Sequence, residues 1–199
     1  MNHVMIDLET LGQYGNAIIT SINAVQFDIN TGETGKVFSQ PVSIKDSVKS
    51  GLKIDPDTMI WWMRQNDEAR TKFIEDDQKG KPLYESLKDF SWWLKHLPAA
   101  TTRELIDIDN VFVWGRCPRF DMGILSTHYH SFGFHIPWNF RNELCVRTYE
   151  FVYPAIKYRT IRDGIEHSGV DDAKYQIKYV VEVNKFISNA KNGVLSIWK

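Results

Sequence analysis

The sequence predicts an α/β protein with a mixed sheet, and three observations carry that expectation. The first forty or so residues read as an antiparallel meander of three strands. A short apolar strand near Val111 is followed by a glycine- and proline-punctuated turn and a helix. Late in the chain, apolar residues recur at helical spacing. The 199 residues are 43% hydrophobic and 25% charged, enough for one well-filled core, so a single domain over 1–199 is expected.

The first strand, His3 to Glu9, ends in two acids placed two apart. Side chains at i and i+2 share one face of a strand, so Asp7 and Glu9 point together while Val4, Ile6 and Leu8 face a core. Adjacent carboxylates repel and resist loss of hydration, and a divalent cation relieves both problems. Oxygen ligands of this kind suit Mg²⁺ or Mn²⁺. An isolated Asp-x-Glu is, however, also what a strand end with two solvated acids looks like.

Ile18 to Phe27 and Lys36 to Val42 read as the next two strands, joined through Asn30-Thr31-Gly32. Pro56, between Asp55 and Asp57, marks a helix start before Met59 to Met63. Leu83, Leu87, Phe90, Leu94 and Leu97 step by three and four residues and give a second amphipathic helix. Lys79-Gly80-Lys81-Pro82 and Thr101-Thr102 read as surface loops.

Val111 to Trp114 is a β-type run, and the turn from Gly115 leads through Phe120 and Asp121 to a helix bearing Ile124, Leu125 and His128. That order puts Asp121 at the carboxyl edge of a strand, where open α/β sheets bind ligands. A helix N-cap is the alternative use of the same aspartate. The segment His167 to Ala173 then opens a helix marked by Ala173, Ile177, Val180 and Val181. Asp172 in its first turn favours the helix dipole. His167 stands in a glycine-containing loop just upstream, and an unperturbed imidazole, with a pKa near ~6.5, is suited to taking a proton from water. A plain loop histidine and a capping aspartate are the alternatives.

Taken together, Asp7-Leu8-Glu9-Thr10, Phe120-Asp121 and His167 to Asp172 resemble, in order and spacing, the histidine-bearing (DEDDh) branch of the DEDD 3′-to-5′ exonucleases. Through Trp61-Trp62, Val113-Trp114-Gly115, Val146-Arg147-Thr148 and the segment His167 to Ala173, the chain most resembles the small phage exonuclease A and exonuclease VIII-like group. The likeness runs from His3 to about Phe186. The turn Arg116-Cys117-Pro118-Arg119, where related sequences often carry small or amide residues, and Cys145, where an acidic residue is common, depart from the pattern without replacing a metal ligand.

The resemblance implies a ribonuclease H-like three-layer fold, its mixed five-stranded sheet antiparallel in the first three strands and flanked by helices. It implies hydrolysis of terminal phosphodiesters of single-stranded nucleic acid with a free 3′ end, yielding nucleoside 5′-monophosphates with two Mg²⁺ or Mn²⁺ ions. Asp7 would bridge both ions, Glu9 and Asp172 would hold the nucleophile-side ion, and Asp121 would act on the other. His167 would be the general base, and Thr10, Leu11, Trp62, Phe120 and Arg147 would contact substrate. DNA is favoured on this likeness, with RNA or a tRNA-like 3′ end as the competitor. A homodimer is an open expectation. A binding module without turnover and a hydrolase of small phosphate esters are the competing classes.

The remaining features set bounds. No apolar run approaches a membrane span and the start has no signal pattern, so a cytoplasmic location is expected, the host cytoplasm if the chain is phage-encoded. Cys117 and Cys145 have no metal-motif spacing, nor do His128, His130 and His135, which are read as surface or groove residues. The net charge of −1 does not exclude a polyanionic substrate, since Arg116, Arg119, Arg141, Arg147, Lys157, Arg159 and Arg162 could form a local basic rim. An ordinary solvated surface is the alternative. Trp93 and Trp114 are read as packing residues. Trp61 and Trp62 diverge by about 100° on a helix, so one of them is a candidate for the groove.

Overall fold

A computed structural model describes residues 1–98 and 105–197, so the expected loop at Thr101-Thr102 lies outside the described residues. Strands β1 (His3–Thr10), β2 (Ile19–Phe27), β3 (Thr34–Pro41), β4 (Phe112–Gly115) and β5 (Glu143–Cys145) form one sheet in the order β3-β2-β1-β4-β5. β1 and β3 both run antiparallel to β2, while β4 lies parallel to β1 and β5 parallel to β4. The mixed α/β sheet expected from the meander and the later strand is the one observed.

β1 sits in the middle of the sheet and is covered on both sides. Val4, Ile6 and Leu8 pack into one apolar cluster, and Met5 packs into another on the opposite face. The first cluster is completed by helices α4 (Leu83–Lys95) and α5 (Asp121–Ser131), which contribute Leu87, Phe90, Leu94, Ile124 and Leu125. The second is completed by the long helix α8 (Gly169–Ile197) through Ala173, Ile177, Val180 and Val181, joined by Val146 from α6 (Val146–Val152). All nine residues of β2 are buried, as a strand covered on both faces requires.

The β2–β3 turn is closed by Asp28, whose Oδ1 accepts from the N–H groups of Asn30 and Thr31 at 2.9 Å each, and Gly32 takes the left-handed conformation at φ 82°. Helix α2 (Pro56–Met63) begins as its sequence indicates, with Asp55 accepting from Asp57 N–H and Pro56 in the first turn. Four further helices had no clear sequence signal: α1 (Ile44–Lys49), α3 (Asp67–Gln78), α6 and α7 (Pro154–Arg159).

His128 corrects its surface or groove reading. α5 turns it inward, where its Nε2 lies 2.9 Å from the Ala17 carbonyl and burial lowers its pKa. His130 and His135 are exposed as expected. Among the described residues, no helix is long and apolar enough to cross a membrane.

Candidate active site

The acid pair on β1 follows Met5 on the face toward α8. Asp7 and Glu9 therefore meet Asp172, which stands in the first turn of that helix. Their carboxylate oxygens, one from each residue, all lie within 4.8 Å of one another. Asp121 reaches the same place from the other side of the strand end. It is buried as the first residue of α5, and its Oδ1 accepts from Leu8 N–H at 3.4 Å. The helix is not capped by its side chain, so the capping alternative does not describe it.

The approach of Asp121 depends on Gly115 at the end of β4. A β-carbon on Gly115 would stand 2.7 Å from Asp121 Oδ2. α8 in turn comes close to the sheet because Gly169 lies directly against the Asn23 side chain, in space a β-carbon would need. Asn23 donates to Ser21 Oγ at 2.8 Å and weakly to the Asp7 carbonyl at 3.4 Å, which ties β2 to the strand bearing the acids.

Crowding perturbs these groups strongly. Loss of hydration, then repulsion from Asp121 and Asp172, raises Asp7 well above the usual carboxylate range. Glu9 is raised by burial, then by Asp7, Asp172 and Asp121. Burial lifts Asp121 to about 7 against the opposing hydrogen bond from Leu8 N–H. Such an all-oxygen donor set gains from a hard divalent cation, so the residues fit the metal that their sequence pattern implies.

Two cations approach the cluster without neutralising it fully. Arg162 is hydrogen-bonded to Asp172 Oδ1 and lies over the Tyr175 ring at 4.4 Å. Arg116 is held 3.6 Å from Glu150, which also pairs with Lys157 at 3.1 Å. Arg119 and Arg147 are exposed along the neighbouring groove and make no ion pair among the described residues. Arg141 and Arg159 fall elsewhere: Arg141 lies over Phe140, and Arg159 lines a separate groove beside α8. The expected rim thus contracts to five of its seven residues.

His167 adopts φ 63°, an uncommon region for a residue with a β-carbon. Its N–H donates to Asp172 Oδ2 at 3.1 Å, and its ring stands edge-on to Trp61 with centroids 4.7 Å apart. It lines a cavity of about 170 Å³ together with Asp7, Glu9 and Asp172. The acid pair also lines a wider groove of about 990 Å³, which takes in Thr10, Trp61, Trp62, Phe120, Asp121 and Arg147. Asp7 and Glu9 therefore stand where a narrow chamber meets an open channel.

One expected substrate contact needs correction. Leu11 is fully buried with Ile18 and Trp62 in a small apolar cluster, because the chain turns inward after β1. Trp62 is 4% exposed, with its indole N–H bonded to the Thr10 carbonyl at 2.9 Å; Trp61, 42% exposed, is the ring open to the groove. Adjacency on a helix indicated that the two diverge but not which one turns outward.

One residue at the cluster escaped sequence reading. Gln176 is buried, and its Nε2 donates to Asp7 Oδ1 at 2.7 Å. Its position four residues after Asp172, on the same helical face, was the available signal.

Comparison with known proteins agrees with this geometry. Residues 2–184 match the family described as the 3'-5' exoribonuclease Rv2179c-like domain. No curated protein sequence matches the chain. Among solved structures, the nuclease domain of 3'hExo, a DEDDh family member bound to rAMP, superposes with a TM-score of 0.61 at 14% identity, covering 92% of this chain and 91% of that one. Escherichia coli exonuclease I with a dT13 oligonucleotide gives a TM-score of 0.61 at 14% identity, over 98% of this chain and 42% of that one. Cell-death related nuclease 4 (CRN-4) gives 0.53 at 9% identity, over 92% of this chain and 64% of its own. At these identities the structural likeness concerns the fold, a ribonuclease H-like sheet flanked by helices.

Proposed function

This chain belongs to the 3'-5' exoribonuclease Rv2179c-like domain family, and from that premise we propose that it is a 3′-to-5′ exonuclease of the DEDDh type that shortens single-stranded nucleic acid from a free 3′ end, releasing nucleoside 5′-monophosphates. The observation that carries the reading is the meeting of Asp7, Glu9 and Asp172 within 4.8 Å, at the junction of a narrow chamber and a wider groove.

Asp7, Glu9 and Asp172 are the residues to hold a nucleophile-side Mg²⁺ or Mn²⁺, and Asp7 with Asp121 a second ion. When bound, the ions supply an acidified water and charge neutralisation at the phosphate and the leaving oxygen. His167 takes the proton from the attacking water. The water oxygen bonds to phosphorus as the bond from phosphorus to the 3′ oxygen breaks, and that oxygen stays on the shortened chain and takes a proton from solvent, while His167 gives up its own to solvent afterwards. The edge contact with Trp61 and the backbone bond to Asp172 hold the histidine at the chamber. Arg147 and Arg119 meet phosphates along the groove, Thr10 and Phe120 line its wall, and the open ring of Trp61 offers a surface for base stacking.

The family description favours RNA as substrate. Single-stranded DNA is the second reading, supported by the sequence likeness to phage exonucleases and by the dT13 complex of a structural neighbour. The whole of residues 1–199 is taken as one exonuclease unit.

The test is a time course with 5′-labelled RNA and DNA oligomers of one sequence, in Mg²⁺ and in Mn²⁺, beside Asp121→Asn. A ladder shortening from the 3′ end, lost in the variant, supports the assignment, and the faster oligomer identifies the substrate. Oligomers that bind but stay intact under every condition would turn the reading toward a binding module.

A further inference from the structure

Gln176 is a polar residue on a helix face otherwise given to packing. Its neighbours Ala173, Ile177 and Val180 are buried in the apolar cluster under the sheet. Gln176 itself is 6% exposed and lines the same chamber as the acids. Its Nε2 donates to Asp7 Oδ1 at 2.7 Å, and its Oε1 has no hydrogen-bond partner.

The orientation of the amide follows from chemistry. A carboxylate that ligates a metal is deprotonated and only accepts hydrogen bonds, so in the metal-bound form the NH₂ end faces Asp7, as it does in the structure, and the carbonyl faces away from it. That leaves a buried acceptor in a chamber lined by carboxylates and by Arg116, Lys157 and Arg162, none of which hydrogen-bonds to it. A buried acceptor of this kind is ordinarily satisfied. The donors that a hard divalent cation brings to such a site are its hydration waters, several of which Mg²⁺ characteristically retains.

We propose that Gln176 is a positioning residue of the metal centre: its N–H holds the Asp7 carboxylate in the orientation that the ions would require, and its carbonyl would accept a hydrogen bond from their hydration water. The inference rests on the metal reading given above. It also accounts for the spacing of Asp172 and Gln176, which places a ligand and its neighbour's support one turn apart on the same helix.

The experiment is Mn²⁺ titration of the full chain by calorimetry, with steady-state kinetics and metal-free thermal melting, for wild type, Gln176→Met and Gln176→Asn. Methionine keeps the length and removes both hydrogen bonds; asparagine keeps the amide but cannot reach Asp7. Both variants are expected to bind Mn²⁺ about 10- to 100-fold more weakly. The loss should appear in kcat, with KM for the oligomer changed less than about 2-fold, since the groove contacts are intact. Either variant, folded and binding Mn²⁺ as wild type does, would overturn the role of Gln176 alone. Failure of wild type to bind Mn²⁺ would overturn the metal reading and this inference with it.

Discussion

Trp61 and His167 meet edge to face, with ring centroids 4.7 Å apart and planes inclined at 77°. The contact joins α2 to the loop before α8 and packs against the imidazole, while the backbone N–H of His167, bonded to Asp172, fixes the main chain that carries the ring. His167→Ala should lower kcat by about 10²- to 10⁴-fold, the usual contribution of a positioned general base. Trp61→Ala should lower it less, and Trp61→Phe should keep most of the activity because an aromatic edge contact survives. Single-turnover rates on one oligomer test the order; equal rates for His167→Ala and wild type would remove the histidine from the chemistry.

The clustered acids are expected to oppose folding in the absence of metal. Asp7→Asn removes a charge that burial and then the neighbouring carboxylates disfavour, and Asp121→Asn one that burial disfavours. Both variants should melt higher than wild type in EDTA while losing about 10³-fold or more in turnover, the scale seen when a key electrostatic group is removed. A variant that melts lower and still cleaves would contradict both halves of the prediction.

The same shifts set a pH dependence. In the unfolded chain these carboxyls ionise near pH ~4, whereas folded Asp121 holds its proton to about 7, and Asp7 and Glu9 are raised as well. Between those limits the folded state binds more protons than the unfolded state. Stability of the metal-free protein should therefore fall as pH rises from about 4 through about 7. Saturating Mn²⁺ should oppose the trend, because the ion binds the deprotonated form. Melting curves at pH 5 and pH 8, with EDTA or Mn²⁺, test the sign.

Two glycines should separate damage to the site from damage to the fold. A β-carbon at Gly115 meets the Asp121 carboxylate at 2.7 Å, so Gly115→Ala should displace that side chain and reduce activity with a small change in melting. A β-carbon at Gly169 meets Asn23 at the packing of α8 on the sheet. Gly169→Ala should therefore cost about 1–3 kcal/mol as an overpacked contact and lose activity too. Chemical denaturation beside exonuclease rates distinguishes the two; a fully active Gly115→Ala would show that Asp121 tolerates the displacement.

Much of this was legible in the chain because it depends on local pattern. Alternation along His3 to Glu9 separates Val4, Ile6 and Leu8 from the acid pair, and the stripe from Leu83 to Leu94 marks α4. β5 had no such signal: it spans three residues, Glu143 to Cys145, too few to show alternation. α3 has a mostly polar sequence with little apolar face and buries only Ala69 outright. His128 and Leu11 were misplaced because each is set by a distant partner, the Ala17 carbonyl for one and Trp62 with Ile18 for the other. Gln176 escaped for the same reason, since its partner Asp7 lies at the far end of the sequence.

The placement of the acids on β1, α5 and α8 also bears on biosynthesis. Asp7 and Glu9 leave the ribosome early, yet the helix that brings Asp172 beside them follows β4 and β5 in the chain. A nascent polypeptide that has emerged only as far as Asp121 has its β1 acids but no α8 to complete the chamber. Because pairings this far apart in sequence form late, a partly synthesised chain has no assembled acidic centre, and the site forms only once α8 has docked.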